Sequence, residues 1–386
     1  MRILVLSFYY EPDLSAGSFR TTALVAKIQE QLSEFDSLDV ITTMPNRYGS
    51  FTDKAIAETY DGKVRINRID VGRHNSGFVD QSILFIKFAI KATNIIRKRD
   101  KYDIIYATSS RLMTAFLGAV TANRQKAKLY LDIRDIFTDT MESIFAGNWK
   151  RYLIPMFRYI EKYTILSAKH INLVSAGFSD YFQKISNKPN YSFFTNGIDD
   201  VFLHTDFREP PETDKTVITY AGNIGEGQGL DKIVPQMAKL LGNDYEIQII
   251  GDGGAKQNLM TAIDGLSNVR VLPPVKRSEL LEIYNQSHCL FMHLNDYEAF
   301  KKVLPSKVFE YAATGRFIIA GVGGYSASFV LDNIDGSIVF KPCDADDFIN
   351  KFKSCKREKM YSRQAFIKKY TRENIMSEMA HTVLSL

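Results

Sequence analysis

At 386 residues, 45% apolar and 24% charged, the chain has the makeup of an ordinary globular protein, which excludes disordered, collagen-like and membrane-channel classes. That length exceeds one ordinary core and suits two domains of roughly 150 to 200 residues. A net charge of +5, dispersed along the sequence, is too weak for nucleic-acid binding, which needs a strong basic stripe to neutralise phosphates. The three cysteines, Cys289, Cys343 and Cys355, lack ligand spacing and fit reduced thiols in a cytosolic compartment.

The first residues are apolar only as far as Glu11-Pro12, so they are expected to form a buried first strand and not a signal peptide. The loop that follows carries Gly17, Ser18 and Arg20 ahead of a helix over 21–32. Gly17 would let backbone approach a ligand closely, Ser18 could cap the helix, and free N–H groups there would suit a phosphate. A glycine turn with a surface arginine fits the same residues.

Further short runs rich in Ile, Val and Leu, at 38–42, 64–69, 104–107, 128–132 and 171–174, alternate with helical segments and predict a parallel sheet covered on both faces. Within this half, 78–101 and 149–170 interleave basic, apolar and aromatic residues at helical spacing. Such helices suit an anionic membrane interface, or a sheet-packed position with a solvated basic face. Lys87 and Lys91 interrupt the longest apolar stretch, so a spanning helix is not expected.

The proline-marked, polar segment 204–215 is expected to link the halves. A second strand series follows at 217–221, 245–250, 269–272, 289–293, 317–320 and 337–340, and 362–386 is expected to be helix returning to the first domain. The domains are therefore drawn at 1–203 and 216–361.

In parallel sheets, ligands bind beyond the carboxyl ends of the strands. The loop after 217–221 carries Gly222, Asn223, Gly225, Gln228 and further glycines, then a helix from about Leu230, an arrangement that would offer backbone donors to a diphosphate. The next strand also ends in glycine, Gly251, Gly253 and Gly254. In Leu304-Pro305-Ser306-Lys307, proline and serine suit a helix start. Lys307 and Glu310 share a helical face. A lysine at a helix N-terminus opposes the dipole, which makes sense with an anion beside it; an ordinary surface salt bridge also fits.

In their order, these segments resemble the retaining glycosyltransferases of family 4, in the subgroup that builds O-antigens and capsules. The resemblance runs through the first glycine loop, 102–107, Phe194-Thr195-Asn196-Gly197-Ile198-Asp199, the 220–230 loop, 250–254 and 305–315. It implies the GT-B fold: α/β, with two Rossmann-like domains whose parallel sheets face a deep cleft. Donor-binding roles pass by resemblance to Gly17, Ser18, Arg20, Gly222, Asn223, Gly225, Gln228, Gly251, Val275, Leu304, Pro305, Ser306 and Glu310, the last toward the nucleotide ribose. The family's first glutamate falls at Lys302, and its phosphate-binding arginine and lysine at Asn223 and Gln228. Lys307, then Lys302, is therefore expected to neutralise the diphosphate.

Asp135, in the Asp132-Ile133-Arg134-Asp135 segment, is expected to be catalytic or acceptor-orienting, with helix capping or pairing in the core as the alternatives. Catalysis is assigned to Asp135, Lys307 and Glu310, with no cofactor and no metal.

The function implied is transfer of a hexose, N-acetylhexosamine or deoxyamino sugar from a UDP-linked donor to a polyprenyl-diphosphate-linked saccharide. The enzyme would be cytoplasmic and peripheral on the inner face of the membrane. A soluble-acceptor transferase, a sugar-nucleotide epimerase and a non-catalytic nucleotide-sugar binder are the alternatives.

Overall fold

A computed structural model describes all residues except 14, 46–54, 73–77, 110, 111 and 145–148. Leu14 of the first glycine loop therefore lies outside the described residues, as do the side chains of Phe78, Trp149 and Lys150 from the basic helices. The chain divides into two compact units, Met1–Asn196 with Arg372–Leu386, and Gly197–Thr371.

The first unit runs β1 (Arg2–Leu6), α1 (Ala16–Gln31), β2 (Ser37–Thr43), β3 (Glu58–Asp61), β4 (Val64–Ile69), α2 (Phe78–Arg97), β5 (Ile104–Thr108), α3 (Leu112–Gln125), β6 (Lys128–Ile133), α4 (Phe137–Ile144), α5 (Ile154–Leu166), β7 (His170–Leu173), α6 (Ser179–Ile185) and β8 (Asn190–Ser192). Its sheet has the order β3-β4-β2-β1-β5-β6-β7-β8 and is parallel except for the antiparallel β3. Ile3, Leu4, Val5 and Leu6 are all fully buried, as a strand sandwiched between helix layers must be. Strand order reverses about β1, since the chain builds outward through β2 and β4 and then returns to pair β5 on the other side.

The second unit runs α7 (Asp200–Leu203), β9 (Thr216–Ala221), α8 (Leu230–Leu241), β10 (Tyr245–Ile250), α9 (Lys256–Ala262), β11 (Val269–Leu272), α10 (Arg277–Gln286), β12 (Cys289–His293), α11 (Lys307–Ala313), β13 (Phe317–Gly321), α12 (Gly324–Asn333), β14 (Ser337–Phe340), α13 (Ala345–Ser354) and α14 (Gln364–Lys369). Its parallel sheet has the order β11-β10-β9-β12-β13-β14, reversing between β9 and β12. Ligand-binding crevices in open sheets open at such a reversal, so the loops after β9 and β12 are where a site belongs. A last helix, α15 (Arg372–Leu384), packs on α1 and belongs to the first unit.

Two boundaries differ from expectation. The chain passes between units at Asn196–Gly197, ahead of 204–215, and that segment is part of the second unit. Phe207 is buried against Phe202, whose ring in turn stacks with Tyr284, and the Arg316 guanidinium donates to the Arg208 carbonyl, so the segment is anchored in spite of its prolines. The C-terminal stretch is also two helices with different allegiances. Only α15 joins the first unit, through a stripe of Ile375, Met376, Met379, Ala380 and Val383.

Candidate functional site

The chemistry of the second unit gathers at its sheet reversal. Lys307 opens α11, and its ammonium lies 5.2 Å over the centre of the Tyr220 ring. A Cβ added at Gly222 would come within 2.4 Å of that ammonium, so the missing side chain at 222 is what leaves room for the lysine head. The Tyr220 hydroxyl donates to the Asn223 carbonyl at 2.7 Å, so one ring carries the lysine and fixes the loop. Among the described residues no ion pair at or below 4.0 Å holds Lys307. Burial pushes this ammonium below the ordinary lysine range, and Glu310 pulls it back only in part.

Glu310 lies one turn along and stays half-buried. The Arg277 guanidinium, at the start of α10, approaches it at 4.0 Å while donating to Asp199 at 2.6 Å and stacking 5.3 Å from the Phe202 ring. Glu310 is thus oriented without being consumed. A desolvated cation and an available carboxylate on one helical face can take an anion and a hydroxyl-bearing group side by side.

Backbone donors contribute less than the glycines suggest. The N–H groups of Gly222, Ile224 and Gly251 bond to the carbonyls of Ile250, Asp252 and Leu272 at 2.8, 2.8 and 3.1 Å. The Gly225 N–H goes to Gln228 Oε1 at 3.2 Å, and the Asn223 amide donates to that same oxygen at 2.9 Å. The expectation that the 220–230 loop presents free amides to a diphosphate is therefore corrected at Gly222 and Gly225, and the Gly251 N–H is engaged as well. Gly251 serves packing: its φ is +153°, and a Cβ there would lie 1.8 Å from the Gly222 carbonyl oxygen.

The loop is anchored from β12. His293 donates from Nδ1 to the Gln228 carbonyl at 2.6 Å and accepts the Cys343 N–H on Nε2 at 2.9 Å. Burial pushes this imidazole down to about 4, so it is neutral and the tautomer is fixed. Asn295 adds a bond from its amide to the Glu226 carbonyl at 2.9 Å.

The remaining residues assigned from sequence border this centre or support it. Leu304 is buried in the core, Val275 packs against the same cluster, and Pro305 and Ser306 are half-buried at the start of α11. Lys302 ends a 3-10 turn, Glu298–Lys302, in the loop after β12.

In the first unit two expectations give way. Ser15, not Ser18, caps α1: its hydroxyl accepts the Ser18 N–H at 3.1 Å. Arg20 does not face a ligand. It is 1% exposed and grips the fully buried Asp132 through two bonds, Nε at 2.8 Å and Nη2 at 3.0 Å. The same guanidinium donates to the carbonyls of Phe194 and Thr195, tying α1, β6 and the end of the unit together. Burial opposes charge on both partners, and their mutual attraction outweighs it, holding the Asp132 carboxyl below and the Arg20 guanidinium above their ordinary values. Removing one partner of such a pair costs about 3–5 kcal/mol. Gly17 sits inside the first turn of α1, where its carbonyl accepts the Thr21 hydroxyl at 2.9 Å. Asp135 stands exposed between β6 and α4.

Comparison with known proteins bears on both units. Residues 204–373 match the family model described as glycosyl transferases group 1. A protein of Escherichia coli K12 described as a colanic acid biosynthesis glycosyl transferase, WcaI, is 32% identical over 114 residues, a stretch covering 29% of this chain and only 28% of that protein. Among solved structures, sucrose-phosphate synthase of Thermosynechococcus elongatus aligns over 100% of this chain and 98% of its own at a TM-score of 0.74 and 12% identity. Anabaena HepE, solved with UDP and glucose, aligns over 100% of both chains at a TM-score of 0.66 and 14% identity. At such identities the structural likeness establishes the fold, two parallel-sheet α/β units of the GT-B type.

Proposed function

We propose that the protein is a family 4 glycosyltransferase that transfers a sugar from a UDP-linked donor to a lipid-diphosphate-linked saccharide, with retention, in surface polysaccharide assembly; the match of residues 204–373 to the group 1 glycosyl transferase model and the GT-B fold support this reading. The observation that carries this reading is the desolvated Lys307 ammonium, without an ion-pair partner among the described residues, one helical turn from the available Glu310. Lys307 would hold the diphosphate and Glu310 the ribose hydroxyls. Lys302 would add charge nearby, and Val275 with Leu304, Pro305 and Ser306 would frame the base, phosphates and sugar.

Departure of the nucleoside diphosphate concentrates negative charge on the leaving phosphate. A half-buried cation already waiting at that place stabilises the transition state more than the ground state. Asp135, exposed at a strand end of the first unit, is proposed to orient the acceptor. The relative's role in colanic acid biosynthesis and the UDP in HepE support the polysaccharide and nucleotide parts of the proposal.

The lipid acceptor draws support from two helices of the first unit. On α2, Ile83, Ile86 and Ile90 form an exposed stripe beside exposed Lys87, and on α5 Met156, Tyr159 and Leu166 do the same beside Arg158 and Lys162. Among the described residues no helix is long and apolar enough to cross a membrane, and this pattern suits peripheral contact with anionic lipid.

The test is nucleotide release. UDP freed from a UDP-sugar only when a lipid-diphosphate saccharide is present supports the proposal. Binding without turnover across all donors and acceptors would favour a non-catalytic binder, and turnover of donor alone to an isomeric UDP-sugar would favour an epimerase. Flotation with liposomes, with and without anionic lipid, tests the membrane contact.

A further inference from the structure

The carboxyl edge of the first unit's sheet carries one more positive charge than its buried acid can balance. Asp132 is taken up by Arg20, the Tyr106 hydroxyl at 2.9 Å and the Asn172 amide at 2.8 Å. Among the described residues Arg134, two residues further on, makes one side-chain bond, Nη2 to Asn196 Oδ1 at 3.1 Å, while its backbone N–H donates to the Ser109 hydroxyl at 2.9 Å. Its Nη1 is buried with no hydrogen-bond partner among those residues. Burial first, and then repulsion from Arg20, push this guanidinium down from its ordinary value; Asp132, Tyr106 and the exposed Asp135 counter them only in part.

Arg134 is not alone. Ser18 Oγ beyond β1, Thr114 Oγ1 beyond β5 and Thr195 Oγ1 beyond β8 are likewise buried and unpartnered, each following a strand of the same sheet. Thr195 adjoins the Asn196 that holds Arg134, and its own carbonyl accepts from Arg20. Buried polar atoms in native proteins are nearly always bonded, so a buried, unsatisfied guanidinium nitrogen beyond the same sheet as these hydroxyls has room for an acceptor from outside the described residues.

We propose that Arg134 is the principal ligand of an oxyanion site in the first unit, and that its occupant is a phosphoryl group. A phosphoryl group brings three oxygens and up to two negative charges to the free Arg134 N–H groups, against two oxygens and one charge from a carboxylate. Which phosphoryl compound occupies the site rests on the glycosyl-transfer reading, since both a nucleotide donor and a lipid-diphosphate acceptor carry the group; the site itself does not depend on that reading.

Calorimetry with inorganic pyrophosphate on the full chain tests the inference, in a Lys307→Met background so that the second unit's cation does not contribute. Binding is expected there, with at least a tenfold loss of affinity on adding Arg134→Gln and a partial recovery with Arg134→Lys. Arg134→Gln alone is expected to melt at or above the wild-type temperature, because it removes a half-buried charge whose burial and repulsion from Arg20 outweigh the attraction of its neighbours, while the amide can still reach Asn196. Pyrophosphate affinity unchanged within twofold by Arg134→Gln would overturn the site, and a fall in melting temperature would mark the arginine as structural and overturn it too. Competition then separates the sources: farnesyl diphosphate displacing pyrophosphate assigns the site to the acceptor, UDP displacing it assigns the site to the donor, and displacement by neither overturns a substrate role. UDP binding lost in Glu310→Ala reports on the second unit, so each reading can fail without the other.

Discussion

Lys307→Met isolates the charge at the centre of the proposed donor site. Methionine keeps an unbranched stem of similar reach, so packing beside Tyr220 is retained while the ammonium is lost. At an effective dielectric of about 20, two unit charges roughly 4 Å apart attract by about 4 kcal/mol. Loss of one preorganised donor to a developing oxyanion costs about 10²–10³ in turnover. The variant is therefore expected to lose about 10²–10³ in kcat with a smaller change in UDP affinity. Its stability should not fall, because the folded state no longer holds a cation whose burial disfavours charge. Steady-state kinetics with saturating donor, paired with a urea melt, read both quantities. A variant with wild-type kcat and a lower unfolding midpoint would refute the reasoning, leaving Lys307 as a structural cation on the Tyr220 ring.

Other expectations bear on its neighbours. Glu310→Ala should weaken UDP binding by about 1.5–3 kcal/mol, as for a hydrogen bond to a charged group, and should abolish discrimination between UDP and its 2′,3′-dideoxy analogue; retained discrimination in calorimetry would remove Glu310 from the ribose. Gly251→Ala, which sets a Cβ 1.8 Å from the Gly222 oxygen at a φ of +153°, should cost about 2–5 kcal/mol through combined strain and overpacking, and an unchanged urea midpoint would contradict the packing role. His293 binds its proton more weakly folded than unfolded, so the unfolded chain takes up protons first as pH falls. Stability should then drop between about pH 6.5 and 4, by about 3 kcal/mol in all for an imidazole held down to about 4. His293→Gln should flatten that part of a pH-dependent melt, and the same slope in the variant would assign it to other groups.

The sheets were legible because both faces of a parallel strand are buried, which writes unbroken runs such as Ile3 to Leu6 into the sequence. The strands β3 and β8 were not, since they are short edge strands with mostly exposed or half-exposed residues. The second-unit site was legible where its residues are local: Lys307 and Glu310 share one short helix. Pairings across the sheet left no such trace. Arg20 meets Asp132 across 112 residues, and the sequence offers only an arginine after a glycine, which suits a ligand equally well. The glycines misled for a related reason. Gly251 is required by close approach of backbone to backbone, and composition alone cannot distinguish that from close approach to a phosphate. Arg277 lies two residues beyond Val275, a donor-binding residue by resemblance, but its bridge between Asp199 and Glu310 depends on the tertiary fold.

The most direct measurement is the titration of the Lys307 side chain by NMR, following its Cε resonance with and without saturating UDP. An anion bound at this ammonium favours the charged form, so the midpoint should lie below that of an ordinary lysine in the free protein and move up when UDP is added. A midpoint that UDP leaves unmoved would place the diphosphate elsewhere and contradict the account.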